Sequence, residues 1–301
     1  MISIDRVSKS FGRFKALDNV SFDVRNGEVV GFVGPNGAGK TTTIRICVGV
    51  LPPDSGDVLI NSHSVTRDKR NASRYVGWVP EIPIFEPDES ALNYFAYLAG
   101  YYGMGMSEAR SLGRKLLEEV GLGDALNKKL KNFSLGMKKR FALAVSMINN
   151  PDNFIFDEVL NGLDPIGIAF FRDLVKRFRK ENRAVLFSSH ILKEVEDLAD
   201  RVVFINRGRI LKIMTMDDIK ASAKPVLVIK LKTLDNRAID IARGYGENIR
   251  VEKDTIYIYN PRAEPADIVE MLVKNGYKVE ETKKEEASLE EIFFKVIGES
   301  K

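Results

Sequence analysis

Cysteine is nearly absent from this chain: the single one, Cys47, rules out an intrachain disulfide. It lies in an apolar run, where a small core residue is expected rather than a reactive thiol. Of the two histidines, His63 has no second ligand nearby in sequence and reads as an exposed turn residue, not a metal ligand. No apolar run approaches the roughly 20 residues that span a bilayer. The start, Met1-Ile2-Ser3-Ile4-Asp5-Arg6, lacks the charged-then-apolar pattern of a signal peptide. Charge of one sign is lacking too. With 46 basic and 42 acidic residues the net charge is only +4, which makes no electrostatic case for nucleic acid. A cytosolic chain is expected, with any membrane role supplied by a partner. Its 301 residues suit one large or two modest domains.

Against this background one stretch stands out: Gly34-Pro35-Asn36-Gly37-Ala38-Gly39-Lys40-Thr41, a complete G-x-x-x-x-G-K-[ST] phosphate loop. The apolar run Val29–Val33 before it reads as a buried strand, and Thr41–Val48 after it as a helix. Glycines let the backbone fold tightly, so several N–H groups converge on one anion. The helix adds its unpaired N–H groups and the positive end of its dipole. Lys40 brings a full charge for phosphate, and the Thr41 hydroxyl is suited to ligating Mg²⁺. Spacing and context together predict a nucleotide.

Before the loop, Ile2–Val7 and Val20–Val24 alternate as half-buried strands. The turn Ser8-Lys9-Ser10-Phe11-Gly12 between them carries an aromatic. Phe11 can stack on a base or sit in the core, and Phe14 competes for the same role. Asp57–Ile60 and Val76–Val79 read as further strands. From Ser90 to about Asn150 only helices are expected, with Ser90 as an N-cap and Gly103 as a stop. Ser107 opens the next helix, which carries Leu112, Leu116, Leu117 and Val120 before Gly121. Strands return at Phe154–Asp157, Ala184–Ser188 and Val202–Ile205. Alternation with helices implies right-handed βαβ units and a parallel sheet with the helical block inserted. Beyond Pro225 the expected order is strand Pro225–Leu231, helix Asp235–Ala242, hairpin Ile249–Glu252 with Thr255–Tyr259, helix Pro265–Lys274 and strand Tyr277–Glu280. This βαββαβ order marks a small ferredoxin-like unit. A last helix opens at Ser288, with Glu291 completing a capping box.

Phosphoryl transfer to water requires charge neutralisation, a positioned water and a group to orient or deprotonate it. Asp157 ends an apolar strand, where its carboxylate can hold the Mg²⁺ shell opposite Thr41. Glu158 is the candidate to accept a proton from the water. His190 follows the strand Ala184–Ser188 at the carboxyl edge of the sheet, where open α/β folds bind ligands. Ser134-Leu135-Gly136-Met137-Lys138 opens the helix Leu135–Asn149 and has the parts of an anion site. From the far end of a helical insertion it cannot easily fold back on its own phosphate loop, which suggests nucleotide on a second subunit.

These motifs, in this order across residues 1 to about 215, resemble the ATP-binding subunits of ABC transporters. The fold implied is a P-loop NTPase (ABC ATPase) domain of the α/β class, spanning 1–220. It has a mixed sheet and a helical subdomain at about 88–150, followed by an accessory α+β domain at 225–301. The resemblance also implies Walker A, Walker B and the D-loop (Leu163-Asp164), with catalysis by Glu158, His190 and Lys40. It implies ATP contacts at Phe11, Gly34, Pro35, Asn36, Gly37, Ala38, Gly39, Lys40, Thr41, Thr42, Ser134, Gly136 and Asp164, and Mg²⁺ held by Thr41, Glu81 and Asp157. Two such subunits, copies or homologues, close head to tail on two ATP molecules and drive a separate membrane permease, at whose inner face they sit. The chain departs from the family pattern at Phe133, Leu135 and Met137 in the signature and at Glu81, where Gln is usual. These departures and the C-terminal unit resemble the branch that exports drugs, antibiotics, lipids or polysaccharides. The competing reading is a soluble ABC ATPase of translation or chromosome maintenance. The chain has neither the paired cassettes nor the coiled coils of those proteins.

Overall fold

A computed structural model describes residues 1–222, 225–246, 248–286 and 289–298. The backbone forms two compact units, one ending at Met216 and the other starting at Asp217.

The first unit is built on a six-stranded sheet in the order Arg209–Thr215, Arg201–Asn206, Val29–Val33, Ala184–Ser188, Asn153–Asp157 and Val76–Val79. All neighbours are parallel except the edge strand Arg209–Thr215. The three central strands are buried along their whole length. That is why they read as continuous apolar runs and not as alternating ones: both faces are covered. Register aligns their ends, since Phe32 pairs with Ser188 and Ser188 with Asp157. The segments that follow, at Gly34, Glu158 and Ser189, therefore leave the sheet at the same edge.

A second, four-stranded antiparallel sheet runs Phe14–Val24, Ile2–Phe11, Ser55–Ile60 and His63–Ser64. Helix Lys40–Cys47 joins the two sheets. Ile44, Ile46 and Cys47 share a core with Ile2, Val20 and Val58 from one sheet and Val30, Ile155 and Val203 from the other. Cys47 is fully buried, and desolvation pushes its thiol up to about 12, so it is the core residue its setting suggested. Elsewhere in the same sheet, Phe154 stacks on Phe178 of helix Pro165–Lys180 with ring centroids 3.8 Å apart. The helical block comprises Ala91–Gly100, Met106–Glu119 and Leu135–Ser146.

The second unit is a four-stranded antiparallel sheet in the order Asn248–Glu252, Thr255–Tyr259, Pro225–Leu231, Val279–Glu286. Helices Asn236–Arg243 and Pro265–Lys274 pack on the face that carries Leu227, Ile229, Ile256 and Ile258. The last helix is Leu289–Gly298; the expected capping box on Ser288 lies outside the described residues.

Four local expectations are corrected. The turn placed at Ser8–Gly12 is strand as far as Phe11, which pairs with Phe14. The reversal falls at Gly12, whose φ of +59° suits glycine, and bulges absorb the irregular register before it. His63 is half-buried, with Nδ1 2.7 Å from Asp68 and its ring stacked on Tyr75, so tertiary contacts hold it. Ser107 is not a cap: the helix starts at Met106 after an extended Gly105. The strand expected at Tyr277–Glu280 is Val279–Glu286, whose run of charges hides an edge strand that pairs through its backbone.

Truncating Phe154 should open a cavity between the sheet and its covering helix. Phe154→Ala is expected to cost about 3–5 kcal/mol in urea denaturation of the full chain. A loss below about 1 kcal/mol would mean that the stack contributes little.

Candidate functional site

The phosphate loop is fixed by how closely it packs. A Cβ on Gly34 would come within 2.3 Å of the Ile205 carbonyl oxygen. Gly39 has φ +110°, and a Cβ there would meet the Leu17 side chain at 2.7 Å. Glycine is thus required at both ends of the turn. Gly39 is the N-cap of helix Lys40–Cys47 and offers no side chain to its first N–H groups. Lys40 is buried; its Nζ donates to the carbonyl oxygens of Gly34 at 2.7 Å and Pro35 at 3.3 Å. The same ammonium stands 3.5 Å from Glu158 Oε1.

The acidic side of the site is built from the two neighbouring strand ends. Asp157 is buried, and its Oδ1 accepts from Ser188 Oγ at 2.8 Å and from Thr41 Oγ1 at 3.4 Å. Burial pushes its carboxyl up; the Ser188 and Thr41 hydrogen bonds oppose this, and the charges of Glu81 and Glu158 add to it. Glu158 has φ +47°, a left-handed conformation uncommon outside glycine. Its Oε2 accepts from His190 Nδ1 at 2.9 Å, from the His190 amide at 3.3 Å and from Asn161 Nδ2 at 3.2 Å. The His190 ring thus meets the carboxylate through Nδ1, one of its two distinct nitrogens.

Phe11, Phe14, Asn36–Thr42, Glu81, Glu158, Asn161 and His190 line one cleft of about 490 Å³. Phe11 and Phe14 stand together at the hairpin tip, 50% and 64% exposed, and both line the cleft. Lys40, Thr41, Glu158 and His190 line the same cleft. Gly34 and Pro35 contribute backbone beneath Lys40, and Asp157 lies behind Thr41. Ser134, Gly136 and Asp164 are not among the lining residues. Ser134 caps helix Leu135–Ser146, accepting from the Met137 amide at 3.2 Å. Asp164 caps helix Pro165–Lys180, accepting from the Gly167 amide at 2.9 Å. Sequence reasoning missed Asn161, three residues past Glu158, and Ser188 and Lys139, whose ties to Asp157 and Glu158 cross long stretches of chain. The only local signal was the position of Ser188 at the end of a buried strand.

A cleft with a glycine loop at a helix N-terminus, a buried lysine and two strand-end carboxylates defines a P-loop nucleotide-binding protein. The family model described as "ABC transporter" matches residues 17–161. The bacitracin transport ATP-binding protein BcrA of Bacillus licheniformis is 33% identical over 302 residues, covering 99% of this chain and 97% of that protein. The lantibiotic transport ATP-binding protein SrtF of Streptococcus pyogenes is 38% identical over 211 residues, covering 70% of this chain and 89% of its own. The solved structure of an ATP-binding subunit of an ABC transporter superposes with TM-score 0.68 at 28% identity, over 73% of this chain and 92% of that one. The dimeric cassette MJ0796, bound to ADP and Pi, shares the fold at TM-score 0.66 and 23% identity, over 72% of this chain and 99% of that one. This chain belongs to the ABC transporter family as an ATP-binding subunit, and it is an ATPase of that class. Among the described residues no helix is long and apolar enough to cross a membrane.

The burial of Asp157 has a consequence for stability. Its raised pKa means that the nucleotide-free folded chain holds this proton more tightly than the unfolded chain does. That stabilisation is complete below the ordinary carboxylate range and is lost as pH rises through the raised value. Asp157→Asn keeps an acceptor for Ser188 and should raise the thermal midpoint of the nucleotide-free chain at neutral pH. The gain should vanish near about pH 4. An unchanged or lower midpoint at neutral pH would contradict this.

Proposed function

We propose that the cleft binds ATP with Mg²⁺ and that the chain closes head to tail with a second copy, or a homologous subunit, around two ATP molecules. Closure drives a separate membrane permease, and hydrolysis resets it. The observation carrying this reading is the position of Glu158, hydrogen-bonded to His190 at 2.9 Å and 3.5 Å from Lys40 in one cleft. A base, a phosphate-facing cation and a γ-phosphate-facing imidazole are the parts that phosphoryl transfer to water needs.

The donors suit a hard cation. Thr41 offers a hydroxyl and Asp157 a carboxylate, with Glu81 at the cleft wall. Among the described residues no cluster of three or more His, Cys, Asp or Glu side chains is positioned for a metal. Mg²⁺ is held by few protein ligands and by substrate phosphates. When bound, it would neutralise charge on the transferred phosphoryl group. Phe11 stacks on the base, with Phe14 beside it. The loop N–H groups and Lys40 hold the β- and γ-phosphates, Glu158 takes the proton of the attacking water, and His190 steadies the γ-phosphate.

Ser134 and Gly136 stand outside their own chain's cleft, which supports their use on the partner's ATP, with Asp164 at the same junction. The export direction is supported by a 31% identical relative from Paraburkholderia xenovorans named for Nod factor export, while BcrA and SrtF are named for bacitracin and lantibiotic transport. The permease confers the transported substrate and holds the chain at the inner face of the membrane. Relatives named for transport favour this over a translation or chromosome role.

Lys40→Ala should weaken ATP affinity by at least about 100-fold, roughly 3 kcal/mol, in a direct titration. Glu158→Gln should shift from monomer to dimer on size-exclusion chromatography when ATP is added. Ser134→Arg should keep ATP binding yet remove both that shift and turnover. Full activity in Ser134→Arg would refute the shared site.

A further inference from the structure

The cleft accounts for the Glu158 side chain but not for the buried cation that grips its backbone. Lys139 lies in helix Leu135–Ser146, five residues past Ser134, and is 1% exposed. Its Nζ donates to the Glu158 carbonyl oxygen at 2.6 Å. Burying an ammonium is costly unless it is compensated. Compensation comes from that carbonyl and from the charges of Glu81, Glu158 and Asp157, which partly offset the lowering of its pKa by burial. The residue it grips is itself strained. Glu158 keeps φ +47°, and such a conformation persists only where its surroundings over-determine it. Two further contacts join Lys139 in doing so here. The Glu158 amide donates to Ser188 Oγ at 3.0 Å, the Asn161 amide donates to the Glu158 carbonyl at 3.2 Å, and Lys139 holds that carbonyl from another element.

The same helix leans on this segment a second time. A Cβ on Gly162 would lie 2.6 Å from Leu135 Cδ2, and one on Gly136 would lie 3.0 Å from the Gly162 carbonyl oxygen. The helix that begins at Ser134 is thus mounted on residues 158–162 at two points.

We propose that Lys139 is a positioning residue for ATP hydrolysis, fixing the Glu158 backbone and making the orientation of the base depend on the position of helix Leu135–Ser146. The inference rests on the proposed function of the site. Ser134 and Gly136 at the helix N-terminus meet the partner's ATP, and Lys139, about 7.5 Å further along the axis, carries any displacement to the chain's own base. Each chain thereby reads the nucleotide held by its partner, and turnover at the two sites is coupled.

The test uses the full chain with Lys139→Met and Lys139→Gln in steady-state ATPase assays. Turnover is expressed per ATP-binding site, counted by titration with a fluorescent ATP analogue, so a misfolded fraction does not register. Lys139→Met should lose about 10- to 100-fold in kcat with KM unchanged, the scale of a small misplacement of a reacting group. Lys139→Gln, which restores a donor without the charge, should recover much of that loss. Placed on Glu158→Gln, Lys139→Met should lower residual turnover no further, because both act through one group. Unchanged kcat per site in Lys139→Met, equal losses in the Met and Gln variants, or a full additional loss on Glu158→Gln would each overturn the inference. A wild-type chain that lacks ATPase activity, or is indifferent to Glu158→Gln, would defeat the proposed function and the inference together. An active wild type, inactive Glu158→Gln and fully active Lys139→Met would defeat the inference alone.

Discussion

The contact between Gly34 and the Ile205 carbonyl sets the frame for the rest of the site. It leaves no space for a side chain and presses the phosphate loop against the sheet. Lys40 then folds back over the loop onto the Gly34 and Pro35 carbonyls. Parallel pairing on both sides of Val29–Val33 aligns the neighbouring strand ends with that loop. Lys40, Thr41, Asp157, Glu158 and His190 are mutually close because a buried, two-faced sheet gives their strands one register.

Around this frame the chain concentrates charge where water is scarce. Lys40, Asp157, Glu158 and Lys139 are all buried, and they bring opposite charges close together. Taking an ion out of water costs several kcal/mol. Opposite charges about 4 Å apart recover about 4 kcal/mol at an intermediate effective dielectric. The balance leaves Asp157 desolvated and Glu158 strained, which is the cost of holding acids ready for a cation and a water. A site built this way sacrifices stability in the free chain for order at the moment of reaction.

The relatives match different shares of the chain. BcrA matches over nearly the whole chain, whereas SrtF matches over 70% of this chain and most of its own length. The C-terminal sheet is a unit of its own. Its core closes on itself through Leu227, Ile229, Ile256 and Ile258 under two helices, as a self-contained unit needs.

Sequence alone determined the elements whose signal is local. Val29–Val33, Ala184–Ser188, Pro225–Leu231 and Thr255–Tyr259 have the bounds their apolar runs predict, because a buried strand needs continuous or alternating apolar residues and ends where the chain must turn. The chemistry of Lys40, Thr41, Asp157 and Glu158 was legible for a similar reason: residue type, spacing and position at a strand end are properties of short stretches. The charged edge strand Val279–Glu286, the anchoring of His63 by Asp68 and Tyr75, the cap at Gly105 and the extension of the first strand to Phe11 were not legible. Each depends on which backbone or ring lies opposite. The same holds for Ser188 under Asp157 and Lys139 under Glu158, contacts spanning 31 and 19 residues. Only the folded chain decides such pairs, because burial and hydrogen-bond partnership are set by what packs across the sheet and not by what is adjacent in sequence.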